Sequence, residues 1–396
     1  MPLEKAFIPY GAYWSSPFCR WQGSLAEQNA IELAARTATA ALEARNVAPE
    51  ALDSLILGYT VPQKHSFYGA PWLAGMIGAP TIAGASVAQA CATSARVLAS
   101  AALELEAGQR QCVLGVCCDR TSNGPHIYYP NPKGPGGMGE AENPVWDNFG
   151  HDPWAKNAMI DTAELLAKQA GITREEQDAI TLRRHEQYGE ALADDRAFQR
   201  RYMVPVQIGK GRKTTAVEAD EGIHPTTAEG LAKLRPVTPE GSVTFGTQTH
   251  PADGNAGVVV CTRERARELS RDGKLTVRLL GYGEARLERG RMPAATVPAA
   301  SRALAHAGIR LEDCKVVKTH NPFAANDIYF SRETGADLDA MNPYGSPLIY
   351  GHPQGPTGLR VVIETIEALV LAGGGLGLFT GCAAGDTAMA LVVRVD

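Results

Sequence analysis

Residues 86–94 read SVAQACATS, and the patterns on either side of this stretch indicate the fold. Small residues surround Cys91, and an alanine- and leucine-rich pattern typical of a helix continues from there to Gly108. A strand pattern, residues 113–118, follows and ends in two further cysteines. A thiol in the first turn of a helix feels the positive end of the helix dipole, so this segment predicts that Cys91 is stabilised as a thiolate.

A second segment repeats this order near the C-terminus. Residues 351–358 read GHPQGPTG, a turn too rich in glycine and proline for regular structure, and they place His352 just ahead of a helical pattern that begins at Gly358. After a glycine-containing turn, the apolar run 376–380 leads into Cys382. The repeated strand–helix–strand order predicts α/β layers with buried, mostly parallel strands.

The repeat extends to the preceding elements and is interrupted by an insertion. A helical stretch at 27–45 leads to a strand pattern at 55–59, and the stretch 299–307 leads in the same way to 316–317. The insertion covers residues 119–248, and its first part is dense in proline, glycine and asparagine, which is typical of loops. The chain therefore predicts two similar halves separated by a structurally different region.

Two short patterns lie within the insertion. Thr173 stands three residues before Glu176 and predicts a capping box at the start of a helix. Residues 209–214 read GKGRKT but lack the glycine spacing of a phosphate loop, so we interpret them as a solvated hairpin.

Composition limits the class of protein. The 396 residues are 44% apolar and 20% charged, as in ordinary globular proteins. The net charge of -5 gives no support for nucleic-acid binding, and the longest apolar stretch, 359–380, contains charged residues and a triple glycine that exclude a membrane span. Eight cysteines without a CxxC pair read as reduced thiols, and residues 1–10 predict no secretory signal. We expect a cytoplasmic protein whose partners include neither nucleic acid nor a membrane.

These segments carry a family resemblance. The chain resembles the thiolases, the acyl-CoA C-acyltransferases of the thiolase superfamily, over nearly its whole length. Residues 86–94 are similar to the thiolase Cys box, residues 351–358 to the Gly-His-Pro-x-Gly-x-x-Gly turn, and Cys382 occupies the place of the second, C-terminal cysteine. The resemblance implies a five-layer α/β/α/β/α fold, with two stacked sheets around central helices, built from two similar halves with an inserted loop domain.

Domain boundaries follow from the resemblance and the repeat. Residues 1–118 are predicted to form the N-terminal half, completed by about 249–270, and residues 271–396 the C-terminal half. The loop domain, 119–248, would cover a coenzyme A (CoA) site.

The three reactive residues suit covalent acyl transfer coupled to carbon acid–base chemistry. Cys91 is the candidate nucleophile, His352 the base that takes its proton, and Cys382 the group that removes or returns a proton at the α-carbon. The resemblance implies two oxyanion holes, one formed by the backbone N–H groups of Cys91 and Ala384 and the other by the side chains of His320 and His352.

The chain departs from the common thiolase pattern at three places. Many thiolases have Asn-Glu-Ala-Phe where residues 320–323 read HNPF, and the histidine is similar to the His-Asp-Cys-Phe box of the sterol-carrier-protein-like thiolases. Residues 246–254 read GTQTHPADG, where Thr249 replaces a serine that meets the pantetheine arm and His250 adds bulk. A His-Met pair is reduced to Met159. Candidate CoA or substrate contacts are Thr249, His250, Met159 and Phe323.

The predicted function is that of a thiolase: reversible acyl transfer between acyl-CoA and CoA or a second acyl-CoA through an S-acyl-Cys91 intermediate. CoA is expected as substrate and product, with no covalently bound cofactor and no metal, because the cysteines and histidines show no metal-ligand spacing. A homodimer or homotetramer is implied by the resemblance. Two alternatives stay open: a ketoacyl-synthase-like condensing enzyme using Cys91, His320 and His352, and a non-catalytic thiolase-like subunit that binds acyl-CoA.

Overall fold

The structure is a computed structural model that describes residues 2–209 and 211–396. The strands in this part of the chain are β1 (Phe7–Ile8), β2 (Tyr13–Ser15), β3 (Cys19–Arg20), β4 (Ser54–Gly58), β5 (Gly84–Val87), β6 (Cys112–Arg120), β7 (Ile127–Tyr129), β8 (Glu140–Glu142), β9 (Val206–Ile208), β10 (Thr215–Val217), β11 (Ala252–Cys261), β12 (Val277–Arg286), β13 (Cys314–His320), β14 (Gly375–Ala383) and β15 (Thr387–Val395).

The α-helices are α1 (Ala30–Ala44), α2 (Gly69–Met76), α3 (Thr93–Glu106), α4 (Trp146–Gly150), α5 (Met159–Ala170), α6 (Arg174–Arg196), α7 (Ala228–Ala232), α8 (Arg263–Leu269), α9 (Thr296–Ala307), α10 (Ala324–Thr334), α11 (Pro347–Tyr350) and α12 (Thr357–Leu371). None of these described helices combines the length and apolar character needed to cross a bilayer. The patterns predicted at 27–45, 55–59, 299–307 and 316–317 are present as α1, β4, α9 and β13.

The main sheet has the strand order β13-β14-β15-β12-β1-β11-β6-β4-β5, with β2 and β3 also paired to β11. Strand β1 links two half-sheets, because Phe7 pairs with Cys261 of β11 on one side and with Arg278 of β12 on the other. Each half-sheet therefore belongs to one half of the chain. Strand β11 returns from beyond the insertion to complete the first half-sheet beside β6.

Helices α3 and α12 pack against each other between the two half-sheets. Buried residues of both helices, among them Leu98 and Ile363, share one apolar cluster with strand residues of both half-sheets, such as Ile56 and Val393. Helices α1 and α2 cover the outer face of the first half-sheet, and α9 covers the outer face of the second. The predicted five-layer α/β fold is thereby confirmed, with the addition that β1 joins the two sheets.

The prediction of mostly parallel strands is wrong. Parallel pairing occurs between β13 and β14 and between β4 and its neighbours β5 and β6, whereas most other pairs in the main sheet are antiparallel. Strand β15, which the sequence patterns did not reveal, follows β14 after the three residues 384–386. So short a connection permits only antiparallel pairing, because a parallel crossover needs a dozen or more residues.

Within the insertion, the predicted capping box is present at the start of α6. The Thr173 hydroxyl oxygen accepts a hydrogen bond from the Glu176 backbone N–H at 3.2 Å, and the Glu176 carboxylate accepts one from the Thr173 N–H at 2.8 Å. Strands β9 and β10 flank residues 209–214 as an antiparallel hairpin, as expected. Lys210 of that turn lies outside the described residues.

A buried ionic cluster attaches α12 to the insertion. The Arg360 guanidinium binds both carboxylate oxygens of Asp220 at 2.6 and 2.8 Å and lies 3.8 Å from the ring centre of Tyr350. Glu364, one turn further along α12, binds Arg360 and Lys318 at 3.0 Å each. Since removing one partner of a buried ion pair costs about 3–5 kcal/mol, this cluster fixes the helix that follows the His352 turn.

Candidate active site

Cys91 lies in a strained turn directly before α3. Ala90 has φ +43°, a left-handed conformation that costs an alanine roughly 1–3 kcal/mol. Thr93 stabilises the turn, because its hydroxyl donates to the Ala90 carbonyl at 2.7 Å and accepts from the Gln89 N–H at 2.8 Å. The helix begins at Thr93 with Ala92 as its N-cap. Cys91 therefore precedes the helix, and the prediction that it lies in the first turn is wrong.

His352 is in position to act on the Cys91 thiol. Its Nε2 lies 3.2 Å from the Cys91 Sγ, and its Nδ1 lies 2.7 Å from the Thr357 hydroxyl. A tautomer that donates Nδ1–H to the Thr357 oxygen leaves the Nε2 lone pair free for the thiol proton. Thr357, which sequence reasoning did not single out, therefore orients the imidazole.

Both partners are neutral at rest. Burial raises the pKa of Cys91 to about 12, although the backbone N–H groups of Ala384 and Cys91 act to lower it. Burial also lowers the pKa of His352 well below its usual range, and neighbouring His320 lowers it further. The prediction of a resting thiolate favoured by the helix dipole is therefore wrong. A nucleophilic role for Cys91 would therefore require its thiol proton to pass to the imidazole during the reaction.

The same two N–H groups, of Cys91 and Ala384, are the pair that the resemblance implied for an oxyanion hole. Both N–H groups lower the pKa of Cys91, as donors that favour a charged sulfur do. A carbonyl carbon bound to Sγ would carry its oxygen into the same neighbourhood, so the arrangement is suited to stabilising an oxyanion.

His320 ends β13 and is almost fully buried. Its ring centre lies 4.1 Å from that of His352, with the ring planes tilted by 35°. Neither ring nitrogen has a hydrogen-bond partner among the described residues, which is unusual for a buried polar group. Burial lowers the pKa of His320 to about 3, so the ring is neutral and has one N–H to donate.

Cys382 is also buried, near the end of β14. Its Sγ accepts a hydrogen bond from the Asn326 side-chain amide at 3.2 Å. Burial and the proximity of Cys91 raise the pKa of Cys382, and the Asn326 hydrogen bond lowers it in part. Asn326 was missed by sequence reasoning, although its place in α10, three residues after Phe323, would have been a signal.

Asp119 is a second residue that sequence reasoning missed, and it holds the turn of residues 351–358 in place. The buried carboxylate accepts hydrogen bonds from the backbone N–H groups of Gly355 at 2.7 Å, Thr60 at 2.8 Å and Val61 at 2.8 Å. Burial raises the pKa of Asp119 to about 7, against the effect of these donors. The sequence signal that could have revealed Asp119 is its position as a charged residue directly after the strand pattern that ends at Cys118.

The candidate CoA contacts fall into two groups. Met159 and Phe323 pack in the apolar cluster that contains Cys382. His250 lines a separate cavity of about 610 Å³, together with Gln248 and residues of the insertion. Its carbonyl oxygen accepts a hydrogen bond from the His352 N–H at 2.9 Å, so the two segments are directly connected.

Thr249 lies between these groups. Its hydroxyl donates to the Pro347 carbonyl at 2.6 Å and its N–H donates to the Pro322 carbonyl at 2.7 Å. The hydroxyl is thus engaged with the backbone, and only its oxygen lone pairs are free to receive a further hydrogen bond.

Comparisons with family models, sequences and solved structures all match this chain to thiolases or acetyl-CoA acetyltransferases. Residues 13–264 match the family model described as "Thiolase, N-terminal domain", and residues 273–395 match "Thiolase, C-terminal domain". An acetyl-CoA acetyltransferase of Chromobacterium violaceum is 32% identical over 380 residues, and one of Escherichia coli (strain K12) is 29% identical over 383; each alignment covers 94% of this chain and 95% of the relative. The crystal structure of human mitochondrial 3-ketoacyl-CoA thiolase in complex with CoA has a TM-score of 0.91 and 26% identity, covering 100% of this chain and 99% of the human one.

Proposed function

The chain belongs to the thiolase family and is an acyltransferase of that type, and from this premise we propose that it carries its acyl group on Cys91. The observation that supports this most strongly is the 3.2 Å separation between the Cys91 Sγ and the His352 Nε2. It is a hydrogen-bond distance between a nucleophile and a base, with the base oriented in turn by a third group, Thr357.

In the first half-reaction the Cys91 sulfur attacks the thioester carbonyl of an acyl-CoA. The thiol proton passes to the His352 Nε2, and the same proton is returned to the sulfur of CoA as the carbon–sulfur bond to CoA breaks. Negative charge develops on the thioester oxygen, for which we propose the N–H groups of Cys91 and Ala384 as donors. The product is S-acyl-Cys91 and free CoA.

In the second half-reaction Cys382 gives up its thiol proton, for which we propose His352 as the acceptor, and the resulting thiolate removes an α-proton from a second acyl-CoA. The carbanion attacks the Cys91 thioester, a carbon–carbon bond forms, and the electron pair of the broken carbon–sulfur bond returns to Cys91. The Cys91 thiolate then takes the proton held by His352, so that both cysteines are again thiols, and thiolysis is the reverse sequence. We propose His320 and His352 as donors to the enolate oxygen of the second acyl-CoA.

The order of the half-reactions follows from the electrophile that the second one requires. The carbanion attacks the thioester on Cys91, and this thioester exists only after the first half-reaction is complete.

Substrate contacts follow from the two groups of candidate residues. We propose that the pantetheine arm of CoA passes Thr249 and His250, and that Met159 and Phe323 line the space for the acyl chain beside Cys382. CoA is then substrate and product, and the reaction as written needs no metal. The structure of the human relative in complex with CoA supports CoA as the thiol substrate.

A ketoacyl-synthase-like reaction is the second candidate. The closeness of His320 to His352 beside Cys91 favours it, since such enzymes pair one cysteine with two histidines. A decarboxylating enzyme forms its carbanion without a base, however, and would leave the Cys382–Asn326 pair without a function. A non-catalytic acyl-CoA-binding subunit would likewise have no use for the aligned base.

The setting of the protein is also a proposal. All eight cysteines are free, and a thiol nucleophile needs a reducing compartment, so we propose the cytoplasm.

We propose a homodimer or homotetramer as well, supported by β5, which ends the main sheet with residues that are exposed or partly exposed. Light scattering on the purified protein tests the oligomer; a monomer at all concentrations contradicts it.

Intact-protein mass spectrometry after mixing with a panel of acyl-CoAs and 3-oxoacyl-CoAs tests the central proposal. We expect an acyl-sized adduct on the wild type, none on Cys91→Ala, and an unchanged adduct on Cys314→Ala, which removes a partly buried thiol of another layer. The acyl-CoA that reacts fastest identifies the preferred chain. If folded wild-type protein forms no adduct with any member of the panel, the proposed intermediate is wrong.

A further inference from the structure

Cys91, His320 and His352 form a ligand set that their positions in the sequence do not reveal. Each offers one ligand atom, and the three atoms lie within 4.8 Å of one another. Thiolate and imidazole are the preferred ligands of Zn²⁺ in proteins. The reaction proposed above uses these side chains in other ways, so their ability to bind a metal is a separate property.

The distances are compatible with a tetrahedral metal centre. With Zn–S of about 2.3 Å and Zn–N of about 2.0–2.1 Å, tetrahedral ligand atoms are roughly 3.3–3.6 Å apart. The Cys91 Sγ and the His352 Nε2 are already 3.2 Å apart. All three ligand atoms lie within 4.8 Å of one another, so the largest separation exceeds the tetrahedral one by at most about 1.5 Å.

The hydrogen bonds around the histidines favour the same arrangement. His352 contacts the Thr357 hydroxyl through Nδ1, and this contact directs Nε2 towards Cys91. A metal-bound histidine usually has such a contact on its other nitrogen, which fixes the tautomer. Both nitrogens of buried His320 lack a partner among the described residues, so a ligand atom is available without breaking an existing bond.

We propose that Cys91, His320 and His352 bind one Zn²⁺ ion, and that the bound ion reversibly blocks Cys91. Binding displaces the thiol proton into solvent and forms one Zn–S and two Zn–N bonds, with no change of oxidation state. The fourth position is left for water. Zinc binding as such is independent of the proposed acyl transfer, whereas the blocking of Cys91 rests on it.

The residue that makes this possible is His320. An asparagine at this position, as in many thiolases, retains hydrogen-bond donation but offers no imidazole nitrogen. His320→Asn therefore separates the two roles: it keeps a donor for the substrate oxygen and removes a metal ligand. The exposed His151 provides a matched control, since His151→Asn removes one imidazole without touching the site.

Binding is measured without reference to activity, using Co²⁺ as a spectroscopic probe and Zn²⁺ as its competitor on protein treated with a chelator. We expect one Co²⁺ per chain with a thiolate-to-cobalt charge-transfer band that Zn²⁺ abolishes. Cys91→Ser should lose the band, and His320→Asn should weaken zinc binding at least about tenfold, a difference of about 1.4 kcal/mol. His151→Asn should bind as the wild type does. Thermal unfolding confirms that each variant is folded.

Two results overturn the metal site: no stoichiometric binding by the wild type, or equal zinc affinity in folded His320→Asn. The blocking of Cys91 is tested separately by acylation in the intact-mass assay, with zinc and then with excess chelator. We expect zinc to stop acylation of the wild type and chelator to restore it. For His320→Asn, compared with its own rate in the absence of zinc, we expect a smaller fractional loss. Stoichiometric binding that leaves acylation unaffected contradicts the blocking role, and absence of acylation even without zinc contradicts the proposed function while the metal site stands.

Discussion

Cys91 lies directly before α3 in the first half of the chain and Cys382 lies in β14 in the second half, and their surroundings differ. Burial raises the pKa of both thiols. The sulfur of Cys91 has an imidazole 3.2 Å away, whereas the sulfur of Cys382 has the side-chain amide of Asn326 as its hydrogen-bond partner. Burial alone therefore does not distinguish the two cysteines. The imidazole that can take a proton from the Cys91 sulfur supports our proposal that Cys91 is the nucleophile and Cys382 the carbon base.

Loss of the nucleophile should have the largest effect. We expect Cys91→Ala to lower acyl transfer at least about 10⁴-fold, because the covalent intermediate cannot form. Steady-state turnover of a 3-oxoacyl-CoA with CoA measures this. Turnover within tenfold of the wild type would move the nucleophile elsewhere and remove the difference between the two cysteines.

Cys382→Ala should affect the other half of the reaction. We expect carbon–carbon bond formation to fall by about 10²–10⁴-fold, the usual contribution of a positioned acid–base group, while acyl-CoA still acylates Cys91. Single-turnover acylation and condensation are measured on the same preparation, with Cys314→Ala as control. Condensation at the native rate would show that Cys382 is not the carbon base.

Thr357→Val removes the hydroxyl that orients His352 while keeping a side chain of similar shape. We expect acylation of Cys91 to slow by about tenfold, corresponding to one lost hydrogen bond of about 1.4 kcal/mol. Thr365→Val is the matched control, because its buried hydroxyl bonds only to the Val361 carbonyl of the same helix. Equal rates for the two variants would mean that Thr357 does not position the imidazole.

Asn326→Leu is the corresponding change at Cys382. Sulfur is a weak hydrogen-bond acceptor, so we expect condensation to slow by only roughly threefold to tenfold, with Cys91 acylation unchanged as the internal control. The limb of the condensation pH profile on which the rate rises with pH should shift to higher pH, since the amide lowers the pKa of Cys382, the proposed base. A profile that does not move argues against this role.

His320→Asn should have the smallest effect on the reaction and a measurable one on stability. Because burial lowers the pKa of His320 to about 3, the unfolded chain binds a proton below about pH 6.5 that the folded state does not bind. The unfolding free energy therefore falls as pH decreases from about 6.5 towards 3, by up to about 1.4 kcal/mol per unit.

Urea unfolding at pH 7 and pH 5 measures this contribution, which is up to about 2 kcal/mol between these values. His320→Asn should lose it and retain the acid sensitivity that His352 confers in the same direction. The His151→Asn control should match the wild type. An unchanged difference in His320→Asn would mean that folding does not lower the pKa of His320.

Much of the fold could be predicted from sequence because its elements are locally encoded. Helical and strand periodicity located α1, β4, α9 and β13, and the capping box at Thr173 marked the start of α6. Pairing direction was not encoded in this way. Strand β15 and the antiparallel centre of the sheet depend on which strands the short turn at 384–386 and the return of β11 bring together.

The sequence by itself determined the three reactive residues, their order and the family, since short motifs and local patterns survive in any chain that carries them. Only the tertiary structure decided what surrounds each thiol. Cys91 and His352 are 261 positions apart, and no spacing along the chain predicts their 3.2 Å contact. The same holds for the hydrogen bond from the Gly355 N–H to Asp119 and for the ligand set of Cys91, His320 and His352. The neutral state of the Cys91–His352 pair likewise arises from burial, which is a property of all the packed layers together and of no single segment.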